Sequence, residues 1–291
     1  MSSMELIKKL RDTTGSGIVD CKKALLENNN DLDASIKWLR EKGILKAQKK
    51  QDRETNEGVI SLFNHETSFS SFSVCKIKCE TDFVAKNDDF LKFANDLTKA
   101  IHENNNIENY GIADNLSKLS IGDKDLSTAL TDLISKIGEN IQIISYKKYQ
   151  SESSIFISYL HNKYNSSCSK IASVVEITTN DISKTTEIVD QLKVLAMQVS
   201  AMKPMGLDEN SLDKKVLEDE KDIILKQIEN TPEDKKEQIL KGKLNKFVKE
   251  NTLMGQSLIT DPKNTVSNYL SEVSKSSNLD LNIASMDLYT I

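Results

Sequence analysis

Val74-Cys75-Lys76-Ile77-Lys78-Cys79-Glu80-Thr81-Asp82-Phe83-Val84-Ala85-Lys86-Asn87-Asp88-Asp89-Phe90-Leu91-Lys92-Phe93-Ala94 decides how this chain folds. Its first five residues alternate apolar and polar, the period of a strand with one buried face. From Asp88 the period changes: Phe90, Phe93, Ala94, Leu97, Ala100 and Ile101 fall on one helical stripe. A strand running straight into an amphipathic helix indicates a sheet with a helix laid on it. Between them, Cys79 to Asn87 forms the junction. On local grounds the ordinary reading is that Phe83 packs under this junction, with Asp82 or Asn87 capping the helix. The other reading is a short segment presented to a partner from a rigid base.

Upstream, Gly58 to Phe63, the turn Asn64 to Thr67, and Phe69 to Cys79 form a β-hairpin pattern. Before it, three short helices carry Leu6, Ile7 and Leu10, then Ile18, Cys21, Ala24 and Leu25, then Leu32, Ile36 and Leu39. Thr13 to Gly17, Asn28 to Asn30, and Gly43 are their stop signals. Three such helices bury only a small core, which suits docking rather than an independent activity. Residues 46–57 hold no apolar residue larger than alanine and read as a linker or an exposed helix extension.

Downstream, Leu126 to Lys136 is a helix, and Ile141 to Tyr146, Ile155 to Leu160 and Ile171 to Ile177 are strands. His102 to Asn109 and His161 to Ser169 read as loops. Ile188, Leu192, Leu195, Val199 and Met202 mark a long helix stopped at Pro204. Two charged helices follow, over residues 211–252, with Thr231-Pro232 at the start of the second. An antiparallel hairpin, folded onto the core or projecting as an arm, fits them equally. A short helix from Val266 to Val273 and a strand from about Leu279 to Met286 close the chain. The class is therefore α+β, with two small α+β units sharing or abutting sheets.

Composition narrows the function. A net charge of −5 over 291 residues does not favour broad nucleic-acid binding, which needs surplus Lys and Arg. No apolar run approaches the ~18 residues that span a bilayer. The opening Met1-Ser2-Ser3-Met4 resembles neither a signal peptide nor a transit sequence. Together with four cysteines lacking any CxxC pair, this places the protein in a reducing cytoplasm. Three histidines (His65, His102, His161), no glycine-rich phosphate loop, no GxSxG and no HExxH leave no legible catalytic or metal-ligating constellation. The expected activity is binding, with no cofactor and no metal.

The chain resembles the translation elongation factor Ts family, exchange factors for the GTPase elongation factor Tu. Leu10-Arg-Asp-Thr-Thr-Gly-Ser-Gly-Ile-Val-Asp-Cys-Lys-Lys-Ala-Leu25 is similar to the family's N-terminal signature, and Cys79 to Lys86 to its second. Lys136 to Ile141, Ser158 to His161, Met197 to Pro204 and Leu253 to Gln256 occur in the family's order. The resemblance implies a three-helix docking domain like ubiquitin-associated domains at 1–45, a linker at 46–57, a core N-subdomain at 58–140, and a core C-subdomain at 141–210 and 253–291 with a helical hairpin (211–252) inserted. It implies docking on elongation factor Tu, GDP-bound or nucleotide-free, through Leu10, Arg11, Thr14, Gly15, Gly17, Lys22, Lys23, Leu25, Ile137, Gly138 and His161. Thr81, Asp82, Phe83 and Val84 match the family's stretch that dislodges the partner's Mg²⁺. The hairpin is a candidate surface for a homodimer, and neither nucleic acid nor membrane is expected as a partner. Departures from the family pattern are Lys76 in place of glutamate, Asn162 to Ser169 in place of a glycine-rich turn, and Gln198 in place of histidine. No further helical module is expected after Ile291. The competing reading is a scaffold that binds partners through the N-terminal helices and hairpin without promoting exchange.

Overall fold

The computed structural model describes residues 3–64 and 69–291, apart from the side chains at 44 and 46. Its N-terminal helices are α1 (Ser3–Thr14), α2 (Ile18–Glu27) and α3 (Leu32–Gln48). They close on a small core of Ile7, Leu10, Cys21, Ala24, Leu25 and Leu39. Ile18, expected in that core, is 54% exposed, because Cys21, Ala24 and Leu25 already define the inward face of α2. Gly43 does not end α3; the helix runs on into the expected linker as far as Gln48. Gly43 instead permits a close approach, since a Cβ there would lie 2.7 Å from Ser135 Oγ on α6 (Leu126–Ile137). Arg40 beside it donates to Thr128 Oγ1 at 2.6 Å, so α3 is packed along α6.

β1 (Glu57–Asn64) and β2 (Ser71–Cys79) pair antiparallel from Glu57 opposite Cys79 to Asn64 opposite Phe72. Residues 65–67 of the expected turn lie outside the described residues. α5 (Asp88–Glu103) lies on this hairpin, burying Phe90, Phe93, Ala94, Leu97 and Ile101 as its stripe predicts. Cys75, Ile77 and Cys79 face it from β2, and Ser61 Oγ donates to Ala94 O at 3.2 Å. β6 (Ile141–Gln150), read from the sequence as part of the second unit, pairs with β2 along its length and packs Ile141, Ile143 and Tyr146 into the core under α5. The boundary at 140/141 thus falls inside a packed layer. A bulge between Lys76 and Ile77 adjusts the register. The far edge of β6 carries β3 (Tyr110–Gly111), and a two-residue hairpin, β4 (Ser120–Ile121) with β5 (Lys124–Asp125), precedes α6.

β7 (Ser154–Lys163) and β8 (Cys168–Thr178) form the second hairpin. Both outrun their apolar residues, so His161 sits in a strand rather than in a loop. β8 joins the two halves. Its start pairs with β1 (Ile60 opposite Ser169), and its remainder pairs on that side with β9 (Asn282–Thr290). The result is a seven-stranded sheet in the order β3-β6-β2-β1-β8-β7, with β9 branching from β8. α7 (Val189–Met202) and α10 (Val266–Ser277) cover its second half over Ile155, Ile157, Val175 and Ile177. Gln198, fully buried on α7, has both ends of its amide engaged: it donates to Gln256 Oε1 and Ser257 O, each at 3.1 Å, and accepts from Ile259 N at 2.9 Å.

The opposite faces of the two sheet halves share a third core, with Phe72 stacked on Tyr149 at 4.5 Å and Phe156 set edge-on. There Tyr149 donates to Asp287 at 2.6 Å, and Lys147 pairs with the same carboxylate at 2.7 Å, tying β6 to β9. α8 (Lys214–Gln227) and α9 (Glu233–Asn251) pack on each other, with Pro232 in the capping position of α9. Ile224 and Ile228 are buried, whereas no residue of α9 is.

Candidate functional site

The junction after β2 is a rigid turn. Thr81 caps a one-turn helix, α4 (Asp82–Ala85), and Asn87 caps α5 by accepting from Asp89 N at 2.9 Å and Phe90 N at 3.3 Å. Val84 and Ala85 point inward and join the core beneath α5. Phe83 points out. It is 82% exposed, the most exposed large hydrophobic side chain among the described residues, so the expectation of a residue packed under the junction is overturned. One turn of helix cannot bury three consecutive side chains; with Val84 and Ala85 committed inward, Phe83 must face solvent.

Around Phe83 lies a charged collar. Lys86 donates to Asp82 at 2.8 Å, which holds the Asp82 carboxyl below its ordinary range and raises Lys86. Lys170 pairs with Glu57 at 2.9 Å and reaches Asp82 electrostatically, which places the start of β8 beside the turn. Beneath it, burial pushes the Cys79 thiol up to about 12, helped by the negative charge of Glu139. That thiol is inert packing, not a nucleophile.

The turn is latched to the end of α6. Glu139 accepts from Thr81 Oγ1 at 2.7 Å and from Thr81 N at 3.0 Å. In return, Glu80 accepts from Asn140 N at 2.6 Å. Gly138 makes this geometry available by ending α6 in the left-handed region, at φ 89°. Two stretches about sixty residues apart are therefore joined at Thr81 and Glu139: Asp82 and Phe83 follow the first of these residues, and half-buried Ile137 and the exposed Gly138 precede the second. Lys136 extends this clasp, pairing with Asp89 at 2.8 Å while its side chain lies against Gly15 of the α1–α2 turn.

The N-terminal candidates divide. Leu10 and Leu25 are buried and shape the unit from inside. Thr14 is half-buried, its hydroxyl donating to Leu10 O at 2.7 Å, and Gly15 lies beside Lys136. Arg11, Gly17, Lys22 and Lys23 are exposed. Sequence reasoning missed Val19 and Leu26, 80% and 68% exposed, which with Ile18 line the outer face of α2 beside Lys22 and Lys23. The signal was present: Val19 and Leu26 fall off the Cys21, Ala24, Leu25 stripe. His161 is exposed on β7, its ring 6.1 Å from that of Tyr159. Among the described residues no group of three His, Cys, Asp or Glu side chains is placed to hold a metal ion.

The surface so assembled is apolar points in a charged frame, suited to gripping a protein. A family model described as "Elongation factor TS" matches residues 80–291, and one described as "Elongation factor Ts, mitochondrial, N-terminal" matches residues 1–50. The chain belongs to the elongation factor Ts family. Curated relatives named Elongation factor Ts include that of Alkalilimnicola ehrlichii, 38% identical over 271 residues (92% of this chain, 86% of the relative). Those of Clostridium perfringens strain SM101 and Clostridium acetobutylicum are 34% and 35% identical over 94% and 98% of this chain, covering 88% and 90% of the relatives. The elongation factor Ts matches thus take in both the three-helix unit and the sheet that carries Phe83. No helix among the described residues is long and apolar enough to cross a membrane.

Proposed function

We infer that this chain is a translation elongation factor that binds GDP-bound elongation factor Tu, promotes loss of Mg²⁺ and GDP, and leaves when GTP loads. Membership of the elongation factor Ts family supports the role, and the exposed Phe83 on its latched turn carries the mechanism. GTPases of this kind hold GDP through Mg²⁺, phosphate-loop backbone donors and a base pocket. A wedge need not touch the nucleotide; it need only favour a partner conformation in which the ion and phosphate contacts are lost. Phe83 suits that task, since a rigid aromatic buries a large area at small entropic cost. Asp82 stands beside it. Its exposed pairing with Lys86 is readily exchanged for groups on the partner. Val84 anchors the turn from below, and Thr81 caps it.

The outer face of α2 (Ile18, Val19, Lys22, Lys23, Leu26), with Arg11 and Gly17, is the proposed dock of a unit resembling ubiquitin-associated domains. Ile137, Gly138 and His161 extend the contact along the core. In this reading residues 1–45 dock, and the first core unit reaches β6. Residues 211–252 form an antiparallel hairpin, on which self-association would depend. The protein performs no covalent chemistry and works in the cytoplasm. By linkage, the factor by which it weakens nucleotide binding equals the factor by which nucleotide weakens its own binding, so a stoichiometric binder turns over.

The test is release of fluorescent GDP from purified elongation factor Tu. Acceleration by catalytic amounts of the chain is expected. Binding without acceleration would instead leave the scaffold reading, in which the N-terminal helices and hairpin only tether.

A further inference from the structure

We propose that Glu139 is the positioning residue of the exchange reaction, joining the N-terminal docking unit to the Phe83 wedge. The inference rests on the exchange reading above and names what makes the wedge rigid. Phe83 makes no packing of its own, so its placement depends on the backbone of α4 and hence on Thr81, the residue that starts that turn. A four-residue helix has too few internal hydrogen bonds to hold itself. Glu139 supplies what is missing, its two carboxylate oxygens accepting the Thr81 hydroxyl at 2.7 Å and the Thr81 amide at 3.0 Å. The reciprocal bond from Asn140 N to Glu80 at 2.6 Å prevents the two strands of the clasp from sliding past one another. Asn140 is itself buried and held, its side-chain amide donating to Gln51 O at 3.2 Å and Arg53 O at 2.8 Å.

The other end of this linkage is the docking unit. α6, which ends at Gly138 next to Glu139, is the helix on which α3 packs through Gly43 and Arg40. Lys136, one turn before Glu139, lies against Gly15 between α1 and α2. A continuous path of packed helix and paired hydrogen bonds therefore runs from the docking face through α6 to Thr81 and Phe83. Binding energy gained at α2 can be applied at Phe83 only if that path is stiff.

The experiment measures fluorescent-GDP release from elongation factor Tu over a range of concentrations of full-length wild type, Glu139→Ala, Glu139→Gln, Phe83→Ala and the Phe83→Ala/Glu139→Ala pair. Glu139→Ala is expected to lower the maximal release rate about tenfold while leaving the half-saturating concentration unchanged, because docking at α2 is intact. Glu139→Gln keeps an acceptor for the Thr81 amide and offers an N–H to its hydroxyl, and is expected within about threefold of wild type. In the Phe83→Ala background, Glu139→Ala should add nothing, since there is no longer an aromatic to position. A wild-type maximal rate for Glu139→Ala overturns the proposal, as does a full further loss in the double variant, which would mean that Glu139 touches the partner itself. Should Glu139→Ala lose its fold, Glu139→Asp, whose shorter arm cannot reach both Thr81 groups, carries the same two outcomes. If Phe83→Ala alone exchanged normally, the wedge reading would fail first and separately.

Discussion

Replacing Phe83 with alanine separates a wedge from a packing residue more cleanly than any other change in this chain. At 82% exposure the ring contributes almost nothing to the folded monomer, so Phe83→Ala should shift stability by no more than ~0.5 kcal/mol. In the complex the same ring would be a buried aromatic anchor, whose truncation ordinarily costs ~2–4 kcal/mol. If that contact forms fully only as the ion and phosphate contacts break, the loss appears in the exchange barrier, slowing nucleotide release roughly 30- to 700-fold at ~1.4 kcal/mol per decade. The assay is stopped-flow release of fluorescent GDP from elongation factor Tu with the chain in excess, alongside thermal melts of both variants. Two results refute the reasoning. An unchanged release rate would show that Phe83 does not act on the partner, and a melting temperature lowered by several degrees would show that it is packing after all.

Other sites give independent checks. Val19→Asp and Leu26→Asp, on the outer face of α2, should each raise the concentration for half-maximal exchange at least tenfold by requiring a new carboxylate to be desolvated in the docked face, with melting unchanged; titration of the exchange rate reads this directly. Gly43→Ala places a methyl 2.7 Å from Ser135 Oγ and should destabilise the fold by ~1–3 kcal/mol, with much of the loss recovered in the Gly43→Ala/Ser135→Ala pair, which removes the hydroxyl and leaves Cβ at 3.6 Å, as denaturant melts would show. Asp125 caps α6, and its carboxyl is held below the ordinary range first by the Thr128 amide and then by the Thr128 hydroxyl. A depressed folded-state pKa stabilises above the unfolded carboxylate value and is lost as pH falls through the folded value. The melting difference between wild type and Asp125→Ala should therefore be constant near neutrality and shrink on acidification below about pH 4.

What was legible in the sequence was whatever depended on one element's own periodicity. β1, β2, α5 and α7 declare themselves because Cys75, Ile77 and Cys79, or Phe90, Ala94 and Leu97, need only their own spacing to mark a buried face. Features set by a distant partner were not legible. α3 passes through Gly43 because α6 covers it, and nothing near Gly43 records that Ser135 is its neighbour. β6 joins the first half of the sheet because β2 offers a free edge with a bulge at Lys76, a pairing across some seventy residues. His161 and Lys163 are polar and exposed, yet they pair with Ile171 and Ser169 of β8 across an irregularity at Asn162, whatever their side chains. At the site, the local residues of Thr81-Asp82-Phe83 favour a packed ring, and the fold reverses that. Only the commitment of Val84 and Ala85 to the core, and the grip of Glu139 on Thr81, decide the direction.

That direction has an energetic meaning. Burying a phenylalanine contributes ~1.5–3 kcal/mol, and the fold leaves this contribution unused in the free chain. It does so where the backbone is held between a capped helix, a strand end and the Glu139 latch. A flexible exposed phenylalanine would collapse onto the nearest apolar surface, and the partner would then have to pull it away. A rigid one keeps its burial energy in reserve for a single orientation of contact. The electrostatics around it are weak: the Asp82–Lys86 pair is exposed and easily exchanged, so neither charge would oppose the proposed insertion of the ring. Stability in this chain is concentrated in the layers beneath α5 and α7, and the surface proposed to meet the partner is held by those layers rather than contributing to them.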